Sequence, residues 1–108
     1  MDQGVESEYT WYQQGDVIIK PVPKIPHRAT PTGHRVLAEG KATGHKHIAE
    51  ADDVQLFLHE ETLFMRAPSG TNVVHPTRQA LQLPPSDYVI GRVRKYDHFA
   101  EEADDLED

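Results

Sequence analysis

Short runs in which apolar and polar residues alternate follow one another along most of this chain. The clearest covers residues 54–59 (VQLFLH), whose first, third and fifth side chains fall on one face of a strand. Glu60-Glu61 then reads as a tight hairpin connection to a second run at residues 62–66. In no window do apolar residues recur at helical spacing for three turns. The pattern therefore predicts an all-β protein.

Turn signals built from glycine, proline and polar residues separate the other predicted strands. About seven short strands with turns at such close spacing predict a small sandwich or a partly open barrel. The side chains expected near its core are Leu56, Leu58, Leu63, Val89 and Val93. Besides the hairpin, the predicted strands cover residues 16–20, 35–39, 45–50, 71–75, 80–83 and 88–94.

The length of 108 residues predicts a single domain. We expect a flexible N-terminal arm at residues 1–14, a β core at 15–96 and an acidic tail at 97–108. Four prolines between residues 21 and 31 predict a stiff surface loop after the first strand of the core. The arm carries three aromatic side chains that we expect to bind a protein partner, namely Tyr9, Trp11 and Tyr12.

The formal net charge of -7 is concentrated at one end of the chain. Seven acids and no Lys or Arg lie in residues 97–108, and the 11 acids before them balance the 11 Lys and Arg residues. With equal numbers of acidic and basic residues, residues 1–96 lack the clustered cations that nucleic-acid binding requires. The chain has no cysteine, no apolar run of membrane-spanning length and an acidic start unlike a signal peptide. We therefore expect neither nucleic acid nor membrane as a partner, no secretion through a signal peptide, and a cytoplasmic or virion location.

Histidines supply the most specific candidate chemistry. His45 and His47 are two residues apart, so in a strand both imidazoles project from one face. His75, at the end of another predicted strand, is the best third ligand. Three neutral imidazoles can bind a divalent Zn, Ni or Fe ion. The alternative for such histidines is an ordinary hydrogen-bonded polar surface.

Two motifs around these histidines resemble those of the cupin family. Gly40, His45, His47 and Glu50 are similar to the first cupin motif, and Pro68, Gly70 and His75 are similar to the second. The resemblance implies a β-barrel in which the three histidines and Glu50 bind a metal ion. In a regular strand, however, Glu50 falls on the face opposite to His47.

The series GDV, AEGxATGHxH and LPPxxYxI along the chain also resembles short uncharacterised bacterial and phage proteins. Two functions therefore stay open. One is a structural or interaction module, of phage or mobile-element origin, that forms homo-oligomers or binds a protein partner through its β core and terminal arms. The other is a cupin-like metal-binding barrel with a sensing or simple catalytic role. No nucleophile elbow or phosphate-binding loop is present, so the metal is the only argument for an enzyme.

Overall fold

A computed structural model describes residues 10–93, and within that range the chain forms ten β-strands and no helix. Because no helix forms there, this range contains no helix long and apolar enough to cross a membrane. The predicted all-β fold is confirmed, with more strands than expected. They are β1 (Tyr12–Gln14), β2 (Val17–Val22), β3 (Thr30–Pro31), β4 (Val36–Glu39), β5 (Lys46–Ala49), β6 (Gln55–His59), β7 (Thr62–Ala67), β8 (Thr71–His75), β9 (Arg78–Leu83) and β10 (Ser86–Arg92).

The strands form two separate sheets that pack as a sandwich. The larger sheet has six strands in the order β1-β2-β10-β7-β6-β3, and the smaller has four in the order β4-β5-β8-β9. All neighbouring strands are antiparallel. Of the two predicted architectures the sandwich is therefore the one formed, since the sheets do not close into a barrel.

Alternate residues of the inner strands build the core between the sheets. In the larger sheet, β2 buries Val17 and Ile19 and β10 buries Tyr88 and Ile90. Each large apolar side chain buried in this way stabilises the fold by about 1.5–3 kcal/mol relative to its exposed state. From the smaller sheet the core receives Leu37, Ala49, Val73 and Leu83.

The prediction for the first hairpin is correct at one end and wrong at the other. Leu56 is 1% exposed, as expected, and Leu63 packs partly buried against the core. Leu58 lies on the same face of β6 as Leu56 but is 47% exposed. It stands beside the hairpin turn, where the smaller sheet does not cover the larger one.

The predicted face of β10 is wrong. Tyr88 and Ile90 point into the core and are 0% and 8% exposed, so Val89 between them points outward. Val93 follows the end of the strand and is only partly buried. Both faces of residues 88–93 carry apolar residues, so alternation could not decide which one is buried.

The boundary predicted for the N-terminal arm is also wrong. Tyr12–Gln14 is not part of a flexible arm but forms β1, which pairs with Val17–Ile19. Tyr12 packs edge-on against Tyr88, with ring centroids 6.4 Å apart. Residues 1–9 and the predicted tail at 97–108 lie outside the described residues.

The proline-rich segment is a surface connection with strands at both ends. Pro21 lies within β2, beyond the residues that pair with β1, so its missing N–H interrupts no ladder on that side. Pro31 lies in the two-residue β3 at the sheet edge. The predicted loop is therefore shorter than residues 21–33.

Candidate functional site

The three predicted histidines come together where β5 and β8 lie side by side. His47 lies in β5, His45 precedes it and His75 ends β8. The ring of His75 lies between the other two, with its centroid 4.4 Å from that of His47 and 5.4 Å from that of His45. His47 is 4% exposed, whereas the other two are partly exposed. We call these three residues the histidine cluster.

Gln14 connects the histidine cluster to the opposite sheet. Its Nε2 donates hydrogen bonds of 2.9 Å to the carbonyl oxygens of Val73 and Gln79. These carbonyls flank a register shift between β8 and β9, where a ladder is interrupted and backbone acceptors need another donor. Since both amide protons are used there, Gln14 Oε1 accepts at 2.8 Å from His47 Nδ1–H. The neutral His47 ring therefore has its lone pair on Nε2.

Burial keeps His47 neutral. The pKa of His47 is lowered from 6.5 to about 4, mainly by desolvation and to a smaller extent by the nearby His75, Arg92 and Arg78. Asp16 acts in the other direction, but its carboxylate is also paired with Arg92, at 3.0 Å. The site is thus a neutral imidazole surrounded by more positive than negative groups.

The β1–β2 turn packs over His47. Gly15 in this turn has φ of 62°, and a Cβ atom there would lie 3.3 Å from Arg78 Nε and 3.5 Å from His47 Cε1. A larger residue would be strained and would press on both side chains. The turn therefore closes one side of the histidine cluster.

The hydrogen bonding of His75 does not suit a metal ligand in this arrangement. Its Nδ1 accepts from the backbone N–H of Thr77 at 3.1 Å, so a neutral ring carries its proton on Nε2. A ligating histidine instead offers one nitrogen lone pair to the metal and donates from the other. Glu50 is exposed, and within residues 10–93 no group of three or more His, Asp or Glu residues is arranged to hold a metal ion. The metal site stays a prediction, and it requires His75 to release Thr77.

Of the three aromatic residues predicted to bind a partner, two lie within the described residues, and they differ in burial. Tyr9 lies outside the described residues, and Tyr12 packs against the core. Trp11 is 50% exposed and is the largest apolar side chain that faces solvent in the described range.

The sequence did not reveal the open edge of the smaller sheet. β9 pairs with β8 on one side and, within residues 10–93, with no strand on the other. The carbonyl of Asn72 accepts from Glu50 N–H, so the backbone of Asn72 faces β5. Its cross-strand partner Gln82 must face the other way, because opposed residues of an antiparallel pair either bond to each other or both point outward. The N–H and C=O of Gln82 are therefore open at the edge.

The other edges are shorter or protected. β1 has three residues, β3 has two and contains Pro31, and β4 has four with a register irregularity. β9 has six residues and no proline. Its length was underestimated because Arg78 and Gln79 are polar, and a polar start is typical of a strand that lies at an exposed edge.

Comparison with known proteins identifies a family. The sequence profile described as a domain of unknown function (DUF8820) matches residues 13–93, which span β1 to the end of β10. No curated protein and no solved structure matches the chain significantly.

Proposed function

The chain belongs to the DUF8820 family, and we propose that it is an interaction module that assembles by antiparallel pairing of β9 with β9 of a second copy. The open backbone of Gln82 on a six-residue edge strand carries the proposal. Unpaired N–H and C=O groups in a row are a template for another strand.

The side chains of β9 suit a second copy. Arg78 is its only charged residue and stands at its first position. Antiparallel pairing separates the two Arg78 side chains to opposite ends of the interface, so like charges do not face each other. In β9, Leu83 is buried in its own core and Leu81 packs partly buried against it, which leaves the other four side chains accessible.

Trp11 is next to the strand of the larger sheet that contacts β9. It directly precedes β1, and β1 reaches β9 through the hydrogen bond from Gln14 to Gln79. A half-exposed indole offers apolar area to a partner, and Trp is enriched among residues that dominate interfaces. Trp11 thus keeps the partner-binding role that the sequence predicts.

Proline at position 82 tests the proposal. Gln82→Pro removes an outward N–H and no bond to β8, so the fold should lose no more than about 1 kcal/mol. Gln82→Thr is the matched control, because it keeps the N–H and suits a strand. Sedimentation over a wide concentration range should show dimers for the wild type and Gln82→Thr, and monomers for Gln82→Pro. A wild type that stays monomeric, or a Gln82→Pro variant that still dimerises, would overturn self-assembly through β9.

The histidine cluster supports a second candidate, a divalent-metal module with a sensing or simple catalytic role. The observation in its favour is that the three predicted ligands are neighbours, with ring centroids 4.4 and 5.4 Å apart. Purification without chelators followed by elemental analysis should find about one zinc, nickel or iron per chain. His75→Ala should abolish binding, whereas His27→Ala, which alters an exposed histidine outside the cluster, should not. Metal-free protein that zinc, nickel and iron fail to stabilise would eliminate this candidate.

A further inference from the structure

The connection between β2 and β3 lies in a stretch of the chain that has no acid. Residues 17–38 contain no Asp or Glu, and their four Lys and Arg residues are Lys20, Lys24, Arg28 and Arg35. Arg35 is paired with Asp52, at 3.6 Å. Lys24 and Arg28, by contrast, are exposed and form no ion pair within residues 10–93. A protein with net charge -7 therefore carries two uncompensated cations close together.

These two cations line a groove of about 340 Å³. Its lining comes from the β2–β3 connection and from the last residue of β6, namely Lys24, Ile25, Pro26, His27, Arg28 and His59. We call these six residues the basic groove. Within residues 10–93 the one ion pair of a lining residue joins His59 Nε2 to Glu60 Oε2, at 3.8 Å. The groove is therefore lined by cationic, imidazole and apolar side chains.

The larger sheet holds both ends of the connection that forms this groove. β2 pairs with β10 as far as Val22. At the other end, Thr30 of β3 pairs with Leu58 of β6. Leu58 directly precedes His59, so this pairing brings β6 beside the connection. The sheet therefore fixes the position of both walls of the groove.

The connection itself is also held in place. Ile25 is 7% exposed and therefore anchors the connection to the rest of the protein. Ala29 N–H donates to the carbonyl oxygen of Pro26 at 3.0 Å, which closes a turn around His27 and Arg28. Proline rings fix φ at two positions of the connection. Little backbone freedom is left to lose when a ligand binds, and such preorganisation favours affinity.

The polar groups of the basic groove are donors that phosphate oxygens accept. The guanidinium of Arg28 presents N–H groups in a fork that matches phosphate geometry, and Lys24 adds a compact positive charge. The imidazoles of His27 and His59 can each donate an N–H as well. A phosphate monoester carries roughly two negative charges near neutral pH, which two permanent cations balance. A carboxylate has one negative charge and would leave one of the two cations uncompensated.

We propose that the basic groove binds a small phosphate monoester whose phosphate lies against Lys24 and Arg28. Ile25 and Pro26 give the groove an apolar wall, so the ester group that suits it is an apolar ring or chain. The volume of about 340 Å³ lies at the lower end of the range for small-molecule sites. This site shares no residue with β9 or with the histidine cluster, so it goes beyond the proposed function.

Phenyl phosphate is the probe that tests the proposal. It is added to the full chain at about pH 7.5, where its phosphate is mostly dianionic, and binding is followed by NMR of the backbone amides. We expect saturable shifts at residues 24–28 and an affinity that falls with added salt. Lys24→Gln with Arg28→Gln should weaken binding about tenfold, because two charge pairs are lost. Lys41→Gln with Lys46→Gln is the matched control, since it removes the same charge from exposed positions outside the groove and should have little effect.

Two further probes separate the charge from the apolar group. Benzoate keeps the ring and has one negative charge, whereas inorganic phosphate keeps the charge and has no ring, so both should bind more weakly than phenyl phosphate. Equal binding of either one would overturn the proposal. So would an absence of saturable binding, an affinity that Lys24→Gln with Arg28→Gln leaves unchanged, or equal weakening by both double variants.

A short single-stranded oligonucleotide provides the last comparison. If it displaced phenyl phosphate at an equal concentration of phosphate groups, the groove would be a general site for polyanions and the proposal would fail. None of these results bears on dimerisation through β9, so the two proposals fail separately.

Discussion

His47 combines deep burial with a titratable ring, and Gln14 determines the form in which that ring is buried. The amide uses both protons on backbone carbonyls of the opposite sheet and accepts the only proton of the neutral imidazole. A charged imidazole at this position would be poorly solvated and would face His75, Arg78 and Arg92. The folded structure therefore contains His47 in its neutral form, and protonation of the ring destabilises the fold.

His47 should make stability depend on pH. Its pKa of about 4 in the folded protein lies below the usual 6.5, so the unfolded chain binds the proton first. The free energy of unfolding should be highest above pH 6.5 and fall by roughly 3 kcal/mol as the pH drops to 4. Chemical denaturation across this range measures the slope.

His47→Asn supplies the test, because its amide N–H can replace Nδ1–H and cannot titrate. The variant should lose most of the slope between pH 6.5 and 4. His27→Asn, at an exposed histidine, should keep it. A slope unchanged in His47→Asn would show that other groups cause the acid sensitivity.

Sequence spacing predicted which histidines lie close together, but it did not predict the hydrogen bond that fixes His47. His45 and His47 share a strand, and His75 ends a strand that could lie beside it, so proximity follows from local pattern. The hydrogen-bond partner of His47 is Gln14, 33 residues away in the chain. The sequence analysis placed Gln14 in the flexible N-terminal arm. Gln14 could not be predicted because its position depends on β1 joining the larger sheet, which is a tertiary event.

Among the elements, the β6–β7 hairpin has an unfavourable turn. Glu60 and Glu61 have φ of 50° and 69°, the left-handed region required by a two-residue turn of type I′ and favoured by Asn and Gly. Glu60→Asn with Glu61→Gly should raise the free energy of unfolding by about 1 kcal/mol or more. Glu60→Gln with Glu61→Gln is the control, since it removes the charges and keeps the unfavourable conformation. Equal stabilisation by both pairs would attribute the effect to charge.

Two leucines of β6 provide a comparison within one strand. Leu56→Ala should destabilise the fold by about 2–5 kcal/mol, because Leu56 is buried between the sheets. Leu58→Ala should cost under about 1 kcal/mol, because half of its surface already faces solvent. Thermal or urea denaturation measures both. Similar losses would mean that the smaller sheet covers the turn end of β6.

Strand positions were predictable where alternation was clear, and strand faces were not. Residues 54–59 and 62–66 correspond to β6 and β7 within one or two residues. In β10 both faces are apolar, so the choice of Val89 over Tyr88 was wrong. β1 and β3 have three and two residues, too few for any periodic signal.

At the scale of the whole molecule, a small sandwich has an open strand edge, and the charges are unevenly distributed along the sequence. The acidic run at residues 97–108 and the acid-free stretch at residues 17–38 have opposite charge, while β9 offers unpaired backbone. The balanced total of charges in residues 1–96 concealed this acid-free stretch from the sequence analysis. The open edge of β9 is suited to contacts between copies, which is why assembly is the function that we favour.

Amide hydrogen exchange at Gln82, followed by NMR at increasing protein concentration, tests the β9 interface most directly. In dilute protein Gln82 N–H should exchange rapidly, since it points away from β8. Leu83 N–H, which faces β8, should be protected at every concentration and serves as the internal reference. As dimers form, exchange at Gln82 should slow while that at Leu83 stays unchanged. Protection of Gln82 at all dilutions, or rapid exchange at concentrations where sedimentation shows dimers, would contradict pairing through β9.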